Sequence, residues 1–142
     1  MDSIESLYKI ANDIGLHIDG IFSMYYIPKT LNLKKKNLNL IILISPSRFN
    51  VNGHWVCLKR FDDNVLYFDS FGMPPPNEIY YLFPKLKWHY NNFQIQAINQ
   101  SNCGKFCIDL LYHLNNYKNN LPTILKEFNN FINNFHIYNI YK

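Results

Sequence analysis

A histidine, an aspartate and a cysteine carry the chemistry in this chain. His54 stands in NGHWVCLKR, Asp69 in VLYFDSFG and Cys103 in QAINQSNCGKFC. A thiol activated by an imidazole, with a carboxylate fixing the ring, is the constellation for nucleophilic attack on a carbonyl. A strand-end histidine, a lone cysteine and an aspartate at a turn are each more often structural. Their value depends on whether the fold brings them together.

The local patterns supply a test. Trp55–Lys59 and Val65–Asp69 read as two strands around the polar turn Asp62-Asp63-Asn64. A hairpin loop of two or four residues sets Arg60 opposite Val65, and His54 opposite Phe71. Directly opposed residues share a face, so Asp69 falls on the face of His54, a diagonal neighbour at roughly 7–8 Å. An odd loop would place the two on opposite faces. In the even register, Asp69 fixes the tautomer of the ring and supports the imidazolium.

Cys103 falls at the start of a helix running to about Leu114, with Phe106, Cys107, Leu110, Leu111 and Leu114 on one stripe and Ser101 or Asn102 as cap. The free N–H groups and the positive dipole end of a first turn lower a thiol's pKa, as does a neighbouring imidazolium. Gly104 is expected to leave room for a substrate backbone, and the Cys103 N–H to point at a developing oxyanion. A second donor would come from Gln94, Gln96 or Gln100.

The other elements position these three. Ser3–Ile14 has a helical stripe, with Asp2 or Ser3 as cap. GIFSMYYIPKTL reads as irregular or briefly helical. Leu38–Ser45 is a continuous apolar run, expected as a buried strand. Asn77 is expected to cap a short helix, Glu78–Leu82, and Leu86–Gln96 to hold one or two strand segments. A last helix is expected from about Pro122 to Phe135. The order of helix, strands and helices argues an α+β fold. At 142 residues the chain is expected to form one domain, 1–142.

Composition narrows the classes further. Apolar residues make up 48% of the chain, which is globular and not disordered usage. Abundant Asn, Lys, Ile, Tyr and Phe read as a coding bias toward A and T. The formal charge is +4. Its densest run, Lys34-Lys35-Lys36, is expected as a solvated loop, with DNA or another polyanion as the alternative partner. Three cysteines do not suggest a disulfide framework. The opening MDSIESLYK has no secretory pattern, and the longest apolar run is too short for a bilayer, so a soluble, non-secreted protein without membrane contact is expected. Cys103, Cys107 and His113 raise zinc as an alternative, but no second ligand pair stands at metal-site spacing, so no metal and no cofactor are expected. His17, His89, His113 and His136 read as structural or surface residues.

GHWVCLKR, VLYFDSFG and QAINQSNCGKFC together resemble the adenovirus-type cysteine proteases, in the same structural clan as the ubiquitin-like-modifier proteases. The chain order His, acid, Gln, Cys is that clan's order, and the resemblance covers about Gly20–Leu114. It implies a mixed β-sheet packed against helices, with the nucleophile at a helix N-terminus. It implies His54 as general base, Asp69 as its orienting acid, Cys103 as nucleophile and Gln96 as oxyanion donor, with Gln100 as the competitor. Gln96 stands seven positions before the cysteine, the adenovirus-type spacing. The modifier-protease type has its glutamine one residue nearer, where this chain has Ala97. The adenovirus enzyme carries Glu and a longer hairpin at the Asp69 position. The cysteine through which it is linked to an activating peptide has no counterpart that can be placed here. The chain looks most like the maturation proteases of virophages and of Polinton or Maverick-type viruses. The resemblance implies cleavage of capsid or core precursors after glycine; a monomer in the virion, host cytoplasm or viral factory is expected. Removal of ubiquitin-like modifiers is the alternative activity. A binding module without catalysis is the alternative outside enzymology.

Overall fold

A computed structural model describes residues 2–46, 53–92, 94–95, 102–117 and 120–140, with side chains in the last helix described to residue 133. The elements in order are α1 (Ile4–Asp13), β1 (Gly20–Ser23), β2 (Asn37–Ile44), β3 (His54–Phe61), β4 (Asn64–Phe68), α2 (Asn77–Tyr80), β5 (Lys87–Tyr90), α3 (Cys103–Asn115) and α4 (Leu121–Ile140). The fold is α+β. Its five strands form a mixed sheet in the order β1-β2-β3-β4-β5. The inner pairs are antiparallel, and β1 and β5 join the edges in parallel.

The sheet is covered on both faces. On one, Ile41, Trp55, Cys57 and Phe68 pack with Leu7 and Ala11 of α1, the α3 stripe, and Ile124 and Phe128 of α4. On the other, Leu40, Ile42, Val56, Leu58 and Tyr67 pack with Ile79 and Phe83. This explains the continuous apolar run of β2, since a strand buried on both faces has no polar side. Each fully buried aliphatic or aromatic side chain contributes about 1.5–3 kcal/mol. One charged residue joins the helix-bearing face. Lys59 is 1% exposed, with Nζ donating to Asn37 Oδ1 and Asn39 Oδ1 at 3.0 and 3.1 Å.

The hairpin has the even loop that the pattern required. Phe61 pairs with Asn64 and Arg60 with Val65, leaving Asp62 and Asp63 as a two-residue turn. Asp62 takes a φ of 51°, which aspartate tolerates better than most residues. Asn64, expected in the turn, opens β4 instead.

Two expectations are corrected. GIFS is a strand, pairing parallel with Leu40–Leu43. Four residues are too few to show alternation, and a buried neighbour supplies the ladder. Gly20 suits that pairing, because a Cβ there would lie 3.1 Å from the Phe22 ring. The short helix begins at Asn77 itself, and Pro76 precedes it without a side-chain cap bond. Within Leu86–Gln96, where one or two strand segments are expected, β5 at Lys87–Tyr90 is one segment, and residues 93 and 96 lie outside the described residues. Elsewhere the boundaries move little. Ser3 caps α1 by accepting from the Ser6 N–H at 3.1 Å, and α4 runs on to Ile140.

Candidate active site

The site forms at the end of the sheet where the two packed faces meet. His54 is the first residue of β3 and pairs with Ile44, the last of β2. Asp69 directly follows β4. His54 Nε2 donates to Asp69 Oδ1 at 2.6 Å. The ring of Phe71, the residue that the register sets opposite, stacks on the imidazole at 4.0 Å and 15°. One bond and one stacking plane therefore fix the ring.

Asp69 is 1% exposed and is held from several directions. Its Oδ1 also accepts the Phe71 N–H at 2.8 Å, and its carbonyl accepts the Gly72 N–H at 2.8 Å. This tight turn places Gly72 at a φ of 75°, where glycine carries no steric cost. Asn91, also buried, clamps the aspartate backbone. Its Oδ1 accepts the Asp69 N–H at 3.1 Å, and its Nδ2 donates to the Asp69 carbonyl at 2.6 Å. The sheet ladder ends at Tyr67 and Tyr90, so the Asn91 amide takes over as a peptide mimic one step beyond it. Sequence reasoning missed Asn91, and also Ser70, whose buried Oγ lies 3.5 Å from His54 Nε2.

Cys103 opens α3, and its Sγ accepts the Trp55 backbone N–H at 3.4 Å. The His54 ring lies near enough to the same thiol for each group to shift the other's titration. With Nε2 on the carboxylate, Nδ1 is the ring atom left for sulfur. The three residues singled out in the sequence thus meet around one imidazole. As the first residue of a helix, Cys103 also has a backbone N–H without an intrahelical acceptor. Gln96 and its competitor Gln100 lie outside the described residues, as does Ser101. Gln94 is exposed. The Ile95 N–H donates to the Ser70 carbonyl at 2.7 Å, which ties the segment before Gln96 to the residue after Asp69.

Gly104 has a different use from the one expected. A Cβ there would lie 2.8 Å from Leu7 Cδ2, 3.0 Å from Asp2 Oδ2 and 3.4 Å from Trp55 Cδ1. The space belongs to α1 and its leading residues. Glycine lets α1 pack against the first turn of α3, where a substrate backbone was anticipated.

The electrostatics favour an ion pair. Burial alone would push His54 down. The hydrogen bonds to Asp69 and Cys103 and their charges outweigh it and carry the imidazole up to about 9. Burial alone would raise the Cys103 thiol. The His54 bond, the Trp55 N–H, the imidazolium charge and the Gly104 N–H bring it below the ordinary thiol value. Both shifts favour thiolate beside imidazolium at neutral pH. Alkylation of Cys103 by iodoacetamide, followed by mass spectrometry, should therefore be fast at pH values where a free thiol is protonated. The rate should fall in acid as the thiolate protonates, and change again near pH 9 as His54 loses its proton. His54→Ala should return Cys103 to ordinary thiol behaviour; an unaltered profile would refute the ion pair.

The remaining candidates have other surroundings. Cys107 is fully buried, donates to the Trp55 carbonyl at 3.6 Å, and has its thiol raised by burial. Cys57 is buried as well. Among the described residues no three or more His, Cys, Asp or Glu side chains converge as a metal cage. His17 meets Asp19, His89 meets Asn64, and His113 meets Glu127; the side chain of His136 is outside the described set. In the lysine run, Lys35 pairs with Asp19 at 2.7 Å, and Lys34 and Lys36 are exposed. No helix among the described residues is long and apolar enough to cross a membrane.

Comparison with known proteins adds a viral relationship. No protein-family model matches the chain. It is similar to a Sputnik virophage protein named only as uncharacterized protein V9, at 33% identity across 46% of this chain and 52% of that protein. The chain therefore spans about half the length of the curated relative it matches, and the similarity is to a virophage protein.

Proposed function

We propose that the chain is a cysteine endopeptidase of the adenovirus and ubiquitin-like-protease clan that cleaves viral capsid or core precursors during virion maturation. The observation that carries this reading is the Asp69–His54 hydrogen bond beside a Cys103 whose titration the imidazole shifts, in the chain order His, acid, Cys, with the thiol at a helix start. The similarity to a virophage protein supports the viral setting.

In this mechanism the Cys103 thiolate attacks the scissile carbonyl. The oxyanion is held by the Cys103 N–H and, from the resemblance, by the Gln96 amide. As the tetrahedral intermediate collapses, His54 gives its proton to the leaving amine and the C–N bond breaks. Water then attacks the acyl-thioester, His54 takes up its proton, and the thiolate is regenerated. Asp69 keeps the imidazole oriented and stabilises its charged form throughout.

The test is incubation of the purified protein with candidate viral capsid and core precursors, with the product termini sequenced. Discrete cleavage that iodoacetamide abolishes is expected. Intact precursors would overturn the maturation reading. Faster hydrolysis of a ubiquitin-like-modifier fluorogenic substrate than of a Gly-Gly peptide would move the activity to deconjugation.

A further inference from the structure

A cleft of about 550 Å³ opens beside His54, on the sheet face away from α3. His54 and Asp69 form part of its wall, and Cys103 lies outside it. This asymmetry has a chemical meaning if the chain is the endopeptidase proposed above. The thiolate binds the acyl carbon, and His54 must meet the nitrogen of the leaving amine to protonate it. A cavity that adjoins the imidazole and not the sulfur is therefore on the side of the departing fragment.

The lining specifies what fits. Met24, Ile44, Phe71 and Met73 offer an apolar channel, and the methionines can adapt to a flexible chain. Glu78, at the start of α2, adds a carboxylate, and no lysine or arginine is among the described residues that line the cleft. Asp69 is already engaged by His54 and the Phe71 N–H, whereas Glu78 makes no ion pair among the described residues. Among the described lining residues, the charges of a His54 imidazolium and the Asp69 carboxylate cancel, and Glu78 leaves one net negative charge. On a chain of formal charge +4, the described lining of the cleft thus combines one net negative charge with apolar walls. A purely apolar occupant would displace water from Glu78 and return nothing to it. A side chain with a long aliphatic stem and a cationic end satisfies both parts of the lining.

We propose that this cleft is the subsite for a lysine or arginine of the substrate, within the first residues after the scissile bond. The aliphatic stem lies along Met24, Ile44, Phe71 and Met73, and the cationic group faces Glu78. This assignment rests on the endopeptidase reading, because that reading decides which fragment enters the cleft.

The experiment uses quenched fluorescent peptides with glycine before a set of variable positions. Each peptide carries Lys, Arg, Leu or Glu at the first or second position after glycine. The wild-type chain should cleave Lys and Arg peptides with a kcat/KM roughly 1.5- to fivefold above Leu, the scale of an exposed ion pair. Glu78→Gln should bring Lys and Leu close to parity, and Glu78→Lys should shift the preference toward Glu. Glu78 is exposed on a short helix, so these variants do not disturb the core. Binding of the same peptides to Cys103→Ala protein, followed by fluorescence anisotropy, separates the two readings. Cleavage with Leu equal to or better than Lys, or a Lys preference that survives Glu78→Lys, overturns the subsite and leaves the endopeptidase. No cleavage, but Glu78-dependent binding of Lys peptides, overturns the endopeptidase and keeps a basic-peptide cleft. Neither cleavage nor binding overturns both.

Discussion

Cys103→Ala protein should lose peptidase activity altogether, by a factor on the order of 10⁶ in kcat, with little change in peptide binding. His54→Ala should fall as far, and the double variant no further, because the two groups act as one unit. Asp69→Ala should cost less, roughly 10²–10⁴-fold, since the ring would keep its thiol partner and lose its orientation and charge support. Asp69→Asn is the informative variant. Its side-chain oxygen can still accept from His54 Nε2 and from the Phe71 N–H, as Asp69 Oδ1 now does. The amide lacks the negative charge that helps lift His54 to about 9. The alkaline limb of the kcat/KM profile should therefore move to lower pH, with only a moderate loss at the plateau. Asn91→Ala should lower activity by loosening the backbone of Asp69 while leaving its charge in place, so the alkaline limb should stay near its wild-type position. Cleavage by folded Cys103→Ala protein would refute the cysteine mechanism.

The core of this site could be read from sequence because it depends on parity and on local signals. A strand alternates its faces, so one assumption about loop length placed Asp69 with His54, and the pairing of Arg60 with Val65 satisfies it. The start of α3 was equally local, marked by Cys103 and the apolar stripe behind it. What escaped notice depends on pairing between distant segments. Asn91 acts through the parallel alignment of β5 with β4, which no local pattern encodes. In a chain so rich in asparagine, nothing in its residue type set it apart. β1 was missed for the same reason, because GIFS becomes a strand only by lying beside β2. The role of Gly104 was misassigned because a glycine signals that space is needed without saying by what. Here the occupants are Leu7 and Asp2, about a hundred residues earlier in the chain.

That long-range packing makes Trp55 the residue whose removal should cost the most stability near the site. Its ring is 3% exposed, it packs in the core shared by α1 and α3, and its Nε1 donates to the Asp2 carbonyl at 3.0 Å. Its backbone N–H meets the Cys103 sulfur, so one residue joins the leading segment, the sheet and the nucleophile. Trp55→Ala should destabilise by about 3–5 kcal/mol through lost burial and the cavity left behind. Against a total of roughly 5–15 kcal/mol, that is a large share. For a chain of this length it corresponds to a fall in Tm on the order of 10–15 °C. Trp55→Phe keeps most of the apolar volume and loses the indole N–H, so about 1 kcal/mol of its extra cost should trace to the Asp2 bond. Because both variants retain the backbone donor to Cys103, Trp55→Phe should keep the pH profile of Cys103 alkylation. Trp55→Ala should alter that profile as α1 and the start of α3 lose their common support. Paired thermal melts and alkylation rates decide the point. A Trp55→Ala protein with wild-type Tm would mean that the ring does not hold the N-terminal helix in place, and that α1 and α3 are joined by Leu7 packed over Gly104 alone.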